Sequence, residues 1–233
     1  MKKRVFTLLY VLILLIDLIA IALEHRTVSY ITEPLLIVML AVFFLANTQK
    51  IRISFRILMM IALCFSLAGN VALFFEHMGE QYFIIGLAAY LVTHLAFILF
   101  FLAIRYDNFP LPNCKWPTIF LIEGALLLFI FSMLPYLGDM SLLVIVYAVF
   151  ISFTLLTSIH AFRLREQSIG WRCIIGAVLF IISDSLLAID HFYHSVPAAD
   201  VMTMATYGMA LWGLGTGGLR YLQMRRGVNA QTN

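Results

Sequence analysis

Asp184 lies within GAVLFIISDSLLAIDHF (Gly176–Phe192), among residues apolar enough for the interior of a lipid bilayer. A carboxylate at that depth costs about 2.5–3.5 kcal/mol on insertion scales, so a functional role is the first expectation for it. Asp17, Glu33, Asn70, His94 and Tyr207 also fall in apolar stretches, and Ser183 directly precedes the acid. GNVALFFEH (Gly69–His77) aligns without gaps on SDSLLAIDH (Ser183–His191), setting Asn70 against Asp184, Glu76 against Asp190 and His77 against His191. In each copy the histidine follows by seven residues, hence on the same helix face about 10 Å along the axis.

Two carboxyl groups in a dry site can divide the work of bond cleavage. One, desolvated, keeps its proton and donates it; the other, ionised, stabilises a developing cation or activates water. Such a pair suits acetal-like or vinyl-ether bonds, whose cleavage passes through oxocarbenium-like transition states. Ester hydrolysis fits less well, because no Ser with a neighbouring base stands out. Spacing does not choose between acetal and vinyl ether. Quieter roles stand beside each residue: Asp17 suits a structural pair as well as a functional one, His94 a satisfied core histidine, and Ser183 a small packing residue. His160 and Glu123 lie apart from the group and read as structural.

These residues need elements to hold them, and composition says which. The chain of 233 residues is 63% hydrophobic and 12% charged, with a mean hydropathy of +1.00. A soluble domain of this size cannot hide so much apolar side chain, whereas a bilayer can. Apolar stretches occur at 5–23, 30–46, 56–75, 82–104, 117–137, 141–162, 172–190 and 200–222, each near the ~20 residues that cross a bilayer as a helix. Glu33-Pro34 interrupts the second stretch near its start, where Pro34 is tolerable if it opens the helix proper. The first stretch is too long for a signal peptide and no small-residue cleavage site follows it.

Charge tests the count of eight independently. Lys and Arg gather before span one, between two and three, four and five, and six and seven, and after eight, with only Arg26 on the opposite side. The positive-inside rule then puts both termini in the cytoplasm. Asp17, Asn70 and Asp184 fall in the outer half of outward-running helices, Glu33 and Tyr207 near outer helix starts, and His94 near mid-span. Connections are short, and Pro110, Pro112 and Pro117 mark the longest, so residues 1–233 are expected to form a single integral-membrane domain. The fold class is all-α, a polytopic membrane helix bundle of eight transmembrane helices, which the alignment above would divide into two parallel four-helix halves. The net charge of +3 carries no nucleic-acid signal. Cys64, Cys114 and Cys173 lack metal-ligand spacing and read as apolar fillers. His25, His77, His191 and His194 read as solvated outer-loop residues, so no metal and no cofactor is expected.

A resemblance narrows the chemistry. Gly176, Ala177, Ser183, Asp184, Leu187, Ala188, Phe192 and the later Tyr207 resemble the closing segment of the YhhN family of eight-span membrane proteins. YLVTHLAFI (Tyr90–Ile98) resembles its span-four Ala-His-Leu motif, SLAGNVALFF its span-three Gly-Asp motif, and TEPLLIVML its Lys-Pro motif. The likeness runs from about residue 30 to 222 and implies a lysoplasmalogenase, which hydrolyses the vinyl-ether bond of lysoplasmalogens to a fatty aldehyde and a glycerophospho-alcohol. On that reading the substrate is a lysophospholipid reached through membrane lipid, in a bacterial plasma (inner) membrane. Three positions depart: the family's span-three Asp is Asn70, its Lys before Pro is Glu33, and the Asn usual after Leu-Ala is close to Asp190. The expected catalytic set is Asp184, Asn70, Asp190 and Glu33, with Asp17 a further possible replacement for the missing carboxyl. His94, Tyr207, Ser183 and Asp17 are the expected orienting and substrate-binding residues. A relative that keeps the pocket without the chemistry, acting in lipid binding or transport, is the alternative.

Overall fold

A computed structural model describes residues 3–108, 116–162 and 168–231, and among these there are helices and turns but no strand. Eight α-helices follow in order: α1 (Lys3–Ala22), α2 (Arg26–Asn47), α3 (Ile53–Phe74), α4 (Glu80–Asp107), α5 (Trp116–Met133), α6 (Ser141–Ala161), α7 (Gly170–Phe192) and α8 (Ala199–Gln231). Each coincides with one apolar stretch of the sequence. Lys2, Pro110, Pro112, Cys114, Lys115, Arg163 and Arg165 lie outside the described residues.

α1 to α7 are long and apolar enough to cross a membrane. Their outward faces carry large apolar side chains such as Leu8, Phe120 and Leu128, exposed by 71–74%, as lipid-facing residues are. α8, 33 residues long, is less apolar over its whole length, with Arg220, Gln223, Arg225 and Arg226 towards its end. It carries glycines at 208, 213, 215, 217 and 218, where neighbours press closely. A Cβ on Gly176 of α7 would stand 2.9 Å from both Ala210 O and Leu214 N of α8, so the two backbones touch where no side chain intervenes. The α3–α4 and α7–α8 pairings are the most extensive in the bundle. They contain the two sequence segments that align with each other.

Pro34 departs from its expected place. It lies inside α2, two turns after the helix begins at Arg26, instead of opening it. Its missing N–H removes only the bond to Tyr30 near the outer end, which the turns from Arg26 to Glu33 survive. As a result Glu33 projects from a helix.

The end bearing both described chain termini is tied by polar contacts. Asp107 pairs with Arg52 at 3.3 Å and Arg225 at 3.7 Å, and Asn108 donates to Ala161 O at 2.8 Å. His160 sits there, with Nδ1 2.7 Å from Leu156 O. α5 is the loosest helix: it packs chiefly on α6, and Met133 is its one buried residue.

Candidate functional site

Asp184 is held by α4 and α6. Tyr147 OH donates to Asp184 Oδ2 at 2.9 Å, and His94 Nε2 lies 3.3 Å from the same oxygen. On its far side His94 Nδ1 lies 3.1 Å from Thr154 Oγ1. The single hydrogen of Thr154 points to Phe150 O, 3.0 Å back along α6, which leaves Oγ1 as an acceptor. His94 therefore donates through Nδ1–H, which leaves Nε2 turned to Asp184 Oδ2. His94 and Thr154 are 0% and 1% exposed, so water does not compete for these bonds. Phe180 packs edge-on against the imidazole at 4.7 Å.

Oδ1 of Asp184 makes no hydrogen bond with any described residue, and Asp184 lines a cavity of about 260 Å³ between α4, α5, α6 and α7. Phe83 and Phe192, beside the α3–α4 and α7–α8 turns, form its lip, and Ile122, Ile151 and Leu155 line its deeper reach. Tyr147 lines it beside the acid; the rest of the wall is largely aliphatic and aromatic. One carboxyl oxygen is thus fixed by two partners, and the residue that carries it lines an apolar slot.

Asn70 does not line this cavity, and His94 meets it only through Asp184. The reason is an aromatic wall: Tyr90, Phe180 and Tyr207 pack edge-to-face on one another at 5.6–6.4 Å. Beyond it lies a second polar group. Asn70 Nδ2 donates to Glu33 Oε2 at 3.2 Å, and Tyr90 OH donates to Asn70 Oδ1. Asp17, 0% exposed, accepts from Thr32 Oγ1 at 2.5 Å, one helical position from Glu33. Tyr207 OH is 2.7 Å from Ser66 Oγ in the wall itself.

The remaining residues disperse. Ser183 donates to Thr203 O at 3.0 Å, joining α7 to α8 and facing away from the cavity. Asp190 Oδ1 accepts from Val196 N at 2.7 Å and closes the α7–α8 turn. Six residues put it about 240° around the helix from Asp184, on another face. The structure therefore brings Asp184 together with His94, and Asn70 with Glu33, but neither with Asp190. Sequence reasoning missed Tyr147, Thr154 and Tyr90. Tyr147 and Thr154 are seven apart on α6, and Tyr90 and His94 four apart on α4, so each pair shares a face, a spacing that would have flagged them. Among the described residues no group of His, Cys, Asp and Glu is arranged to hold a metal ion.

Comparisons with known proteins place the chain in a family. The human lysoplasmalogenase TMEM86A is 29% identical over 171 residues, 72% of this chain and 65% of the human protein. Its counterpart from Bos taurus is 27% identical over 150 residues, 63% of this chain and 59% of the bovine one. The chain thus spans just under two thirds of the length of these relatives. No solved structure matches it. The YhhN family model covers residues 28–218, which include Asp184, His94, Tyr147, Thr154, Tyr90, Asn70 and Glu33 but not Asp17, and this integral membrane protein belongs to the YhhN family.

Proposed function

We propose that the chain is a lysoplasmalogenase-type hydrolase, cleaving the vinyl-ether bond of a lysoplasmalogen with Asp184 as acid. The observation that carries this reading is one carboxyl group held through Oδ2 by Tyr147 and His94, with no hydrogen-bond partner at Oδ1 among the described residues, on the wall of an apolar cavity. The alkenyl chain lies inward along Ile151, Leu155 and Ile122, and the glycerol end faces Phe83 and Phe192. A proton passes from the carboxyl to the β-carbon of the double bond, leaving an oxocarbenium ion beside the carboxylate. Water adds to the α-carbon and gives up a proton to the Asp184 carboxylate, which restores the acid, and the resulting hemiacetal collapses to aldehyde and glycerophospho-alcohol. His94 and Tyr147 keep Oδ2 in place throughout. α5, held chiefly by α6, is the side by which a lipid reaches the slot without leaving the bilayer.

Glu33 and Asn70, behind the aromatic wall, act by positioning Tyr90 without touching the substrate. We place the chain in a bacterial plasma membrane with both termini in the cytoplasm, on the charge distribution. The test is aldehyde release from lysoplasmalogen in detergent, with Asp184→Asn measured on the same preparation. Loss of about two orders of magnitude or more in turnover, with the fold kept, is expected for a positioned acid. A variant with normal turnover removes Asp184 from the chemistry. A wild type that binds lysophospholipid without releasing aldehyde would instead support a lipid-binding or transport role, the reading that Asn70 at the family's Asp position favours.

A further inference from the structure

We infer that His191 is the head-group residue of this site, receiving the phosphate of a single-chain phospholipid whose reactive bond lies at Asp184. The inference rests on the vinyl-ether reading and deepens it. His191 follows Asp184 by seven residues, so the two project from nearly the same face of α7, about 10.5 Å apart along the axis. In a 1-alkenyl glycerophospholipid, five single bonds separate the ether oxygen from phosphorus, roughly 6 Å when extended. A hydrogen bond adds about 3 Å at each end. The reach of that molecule therefore matches two turns of α7.

The ring is built in as a recognition group would be. It stacks face to face on Phe83, with centroids 3.7 Å apart and planes 4° from parallel, and Phe83 and Phe192 form the lip of the cavity. Nδ1 lies 2.8 Å from Glu76 Oε1 on the short turn after α3. Two contacts from two different segments thus fix the imidazole, while Nε2 makes no hydrogen bond with any described residue. The side chain is 24% exposed, enough to be met from the lip. With Nδ1 engaged by Glu76, Nε2 is the ring nitrogen left to meet a phosphate oxygen.

In the turns at this end of the bundle, residues 23–26, 75–79, 134–140 and 193–198, Arg26 is the one Lys or Arg. These turns also carry Glu24, Glu76 and Asp139, so a phosphate there depends on a local donor. A phosphate arriving at the lip meets imidazole there, and a neutral glycerol end gains nothing from it. The residue pair Glu76–His191 would thereby select a phospholipid over an alkenylglycerol of the same chain length.

The experiment compares aldehyde release from a 1-alkenyl glycerophosphoethanolamine and from the 1-alkenylglycerol lacking phosphate, using purified full chain in detergent. The wild type should prefer the phospholipid in kcat/KM, and His191→Gln should reduce that preference roughly tenfold or more, the usual weight of one charge-assisted hydrogen bond. Glu76→Gln, which leaves the imidazole in place, should lower it in the same direction and serves if the first variant fails to fold. A preference unchanged in both variants overturns the assignment. If the wild type releases no aldehyde at all, the vinyl-ether reading falls separately. His191 is then judged by binding alone, lysophosphatidylethanolamine against monoacylglycerol of equal chain length, with the same ratio expected to collapse in His191→Gln. Stabilisation of the lipid-free protein by inorganic phosphate, absent in His191→Gln, would make the imidazole a free-anion site and overturn the lipid assignment.

Discussion

Asn70→Asp restores the residue that the family pattern has in α3, and the structure says that alone it should be harmful. Asn70 Nδ2 donates to Glu33 Oε2 at 3.2 Å, and Glu33 stands where the family pattern has Lys. The two departures therefore meet in one contact: where the family resemblance gives Lys and Asp, this chain joins Glu33 and Asn70. Putting Asp at 70 opposite Glu33 sets two carboxyl groups at that separation, where two full charges would repel by about 5 kcal/mol at an effective dielectric of 20. One carboxyl can escape by taking up a proton, so the net cost is smaller, about 3 kcal/mol once the lost hydrogen bond is included. For a chain of this length each kcal/mol shifts Tm by roughly 2–4 °C, so Asn70→Asp should melt roughly 10 °C lower in detergent at neutral pH. Glu33→Lys in the same chain should recover most of that loss, and the double-mutant cycle should give a coupling of about 1–3 kcal/mol. Asn70→Asp melting with the wild type, or Glu33→Lys/Asn70→Asp melting no higher than Asn70→Asp, would refute the reasoning. The doubly changed chain is also the background in which the α3 carboxylate can be assayed for any part in turnover.

Three further outcomes follow from the geometry. Tyr147→Phe removes the 2.9 Å bond to Asp184 Oδ2 but leaves the ring, so kcat for aldehyde release should fall about tenfold or more with KM and Tm little changed; a kcat within twofold of wild type counts against Tyr147 as a positioning residue. Thr154→Val strands His94 Nδ1–H in a dry site, costing about 1–3 kcal/mol in melting experiments, and Thr154→Ser should restore both stability and turnover. Cysteines placed at Met78 and Ser195 should react with an impermeant thiol reagent from outside intact cells and one at Lys50 only after permeabilisation, and the opposite pattern would invert the orientation read from charge.

The helices and their number were legible because a bilayer imposes a one-dimensional rule. Every span must satisfy its own backbone, so length and apolarity show in the chain one segment at a time. α8 is the instructive case, since its glycines serve a contact that lies in α7, where Gly176 admits its backbone. Asp184 was legible on the same grounds, as a charge that lipid would not tolerate without cause. What surrounds it was not, because hydrogen bonds between helices depend on how each is rotated about its axis, and apolar side chains all round leave that rotation unmarked. Only packing decided that Asp184 meets His94 and Tyr147, that Phe180, Tyr90 and Tyr207 part it from Asn70, and that Asp190 turns away to close a loop. The join between Glu33 and Asn70, two residues that depart separately along the chain, became one feature only when α2 and α3 came together.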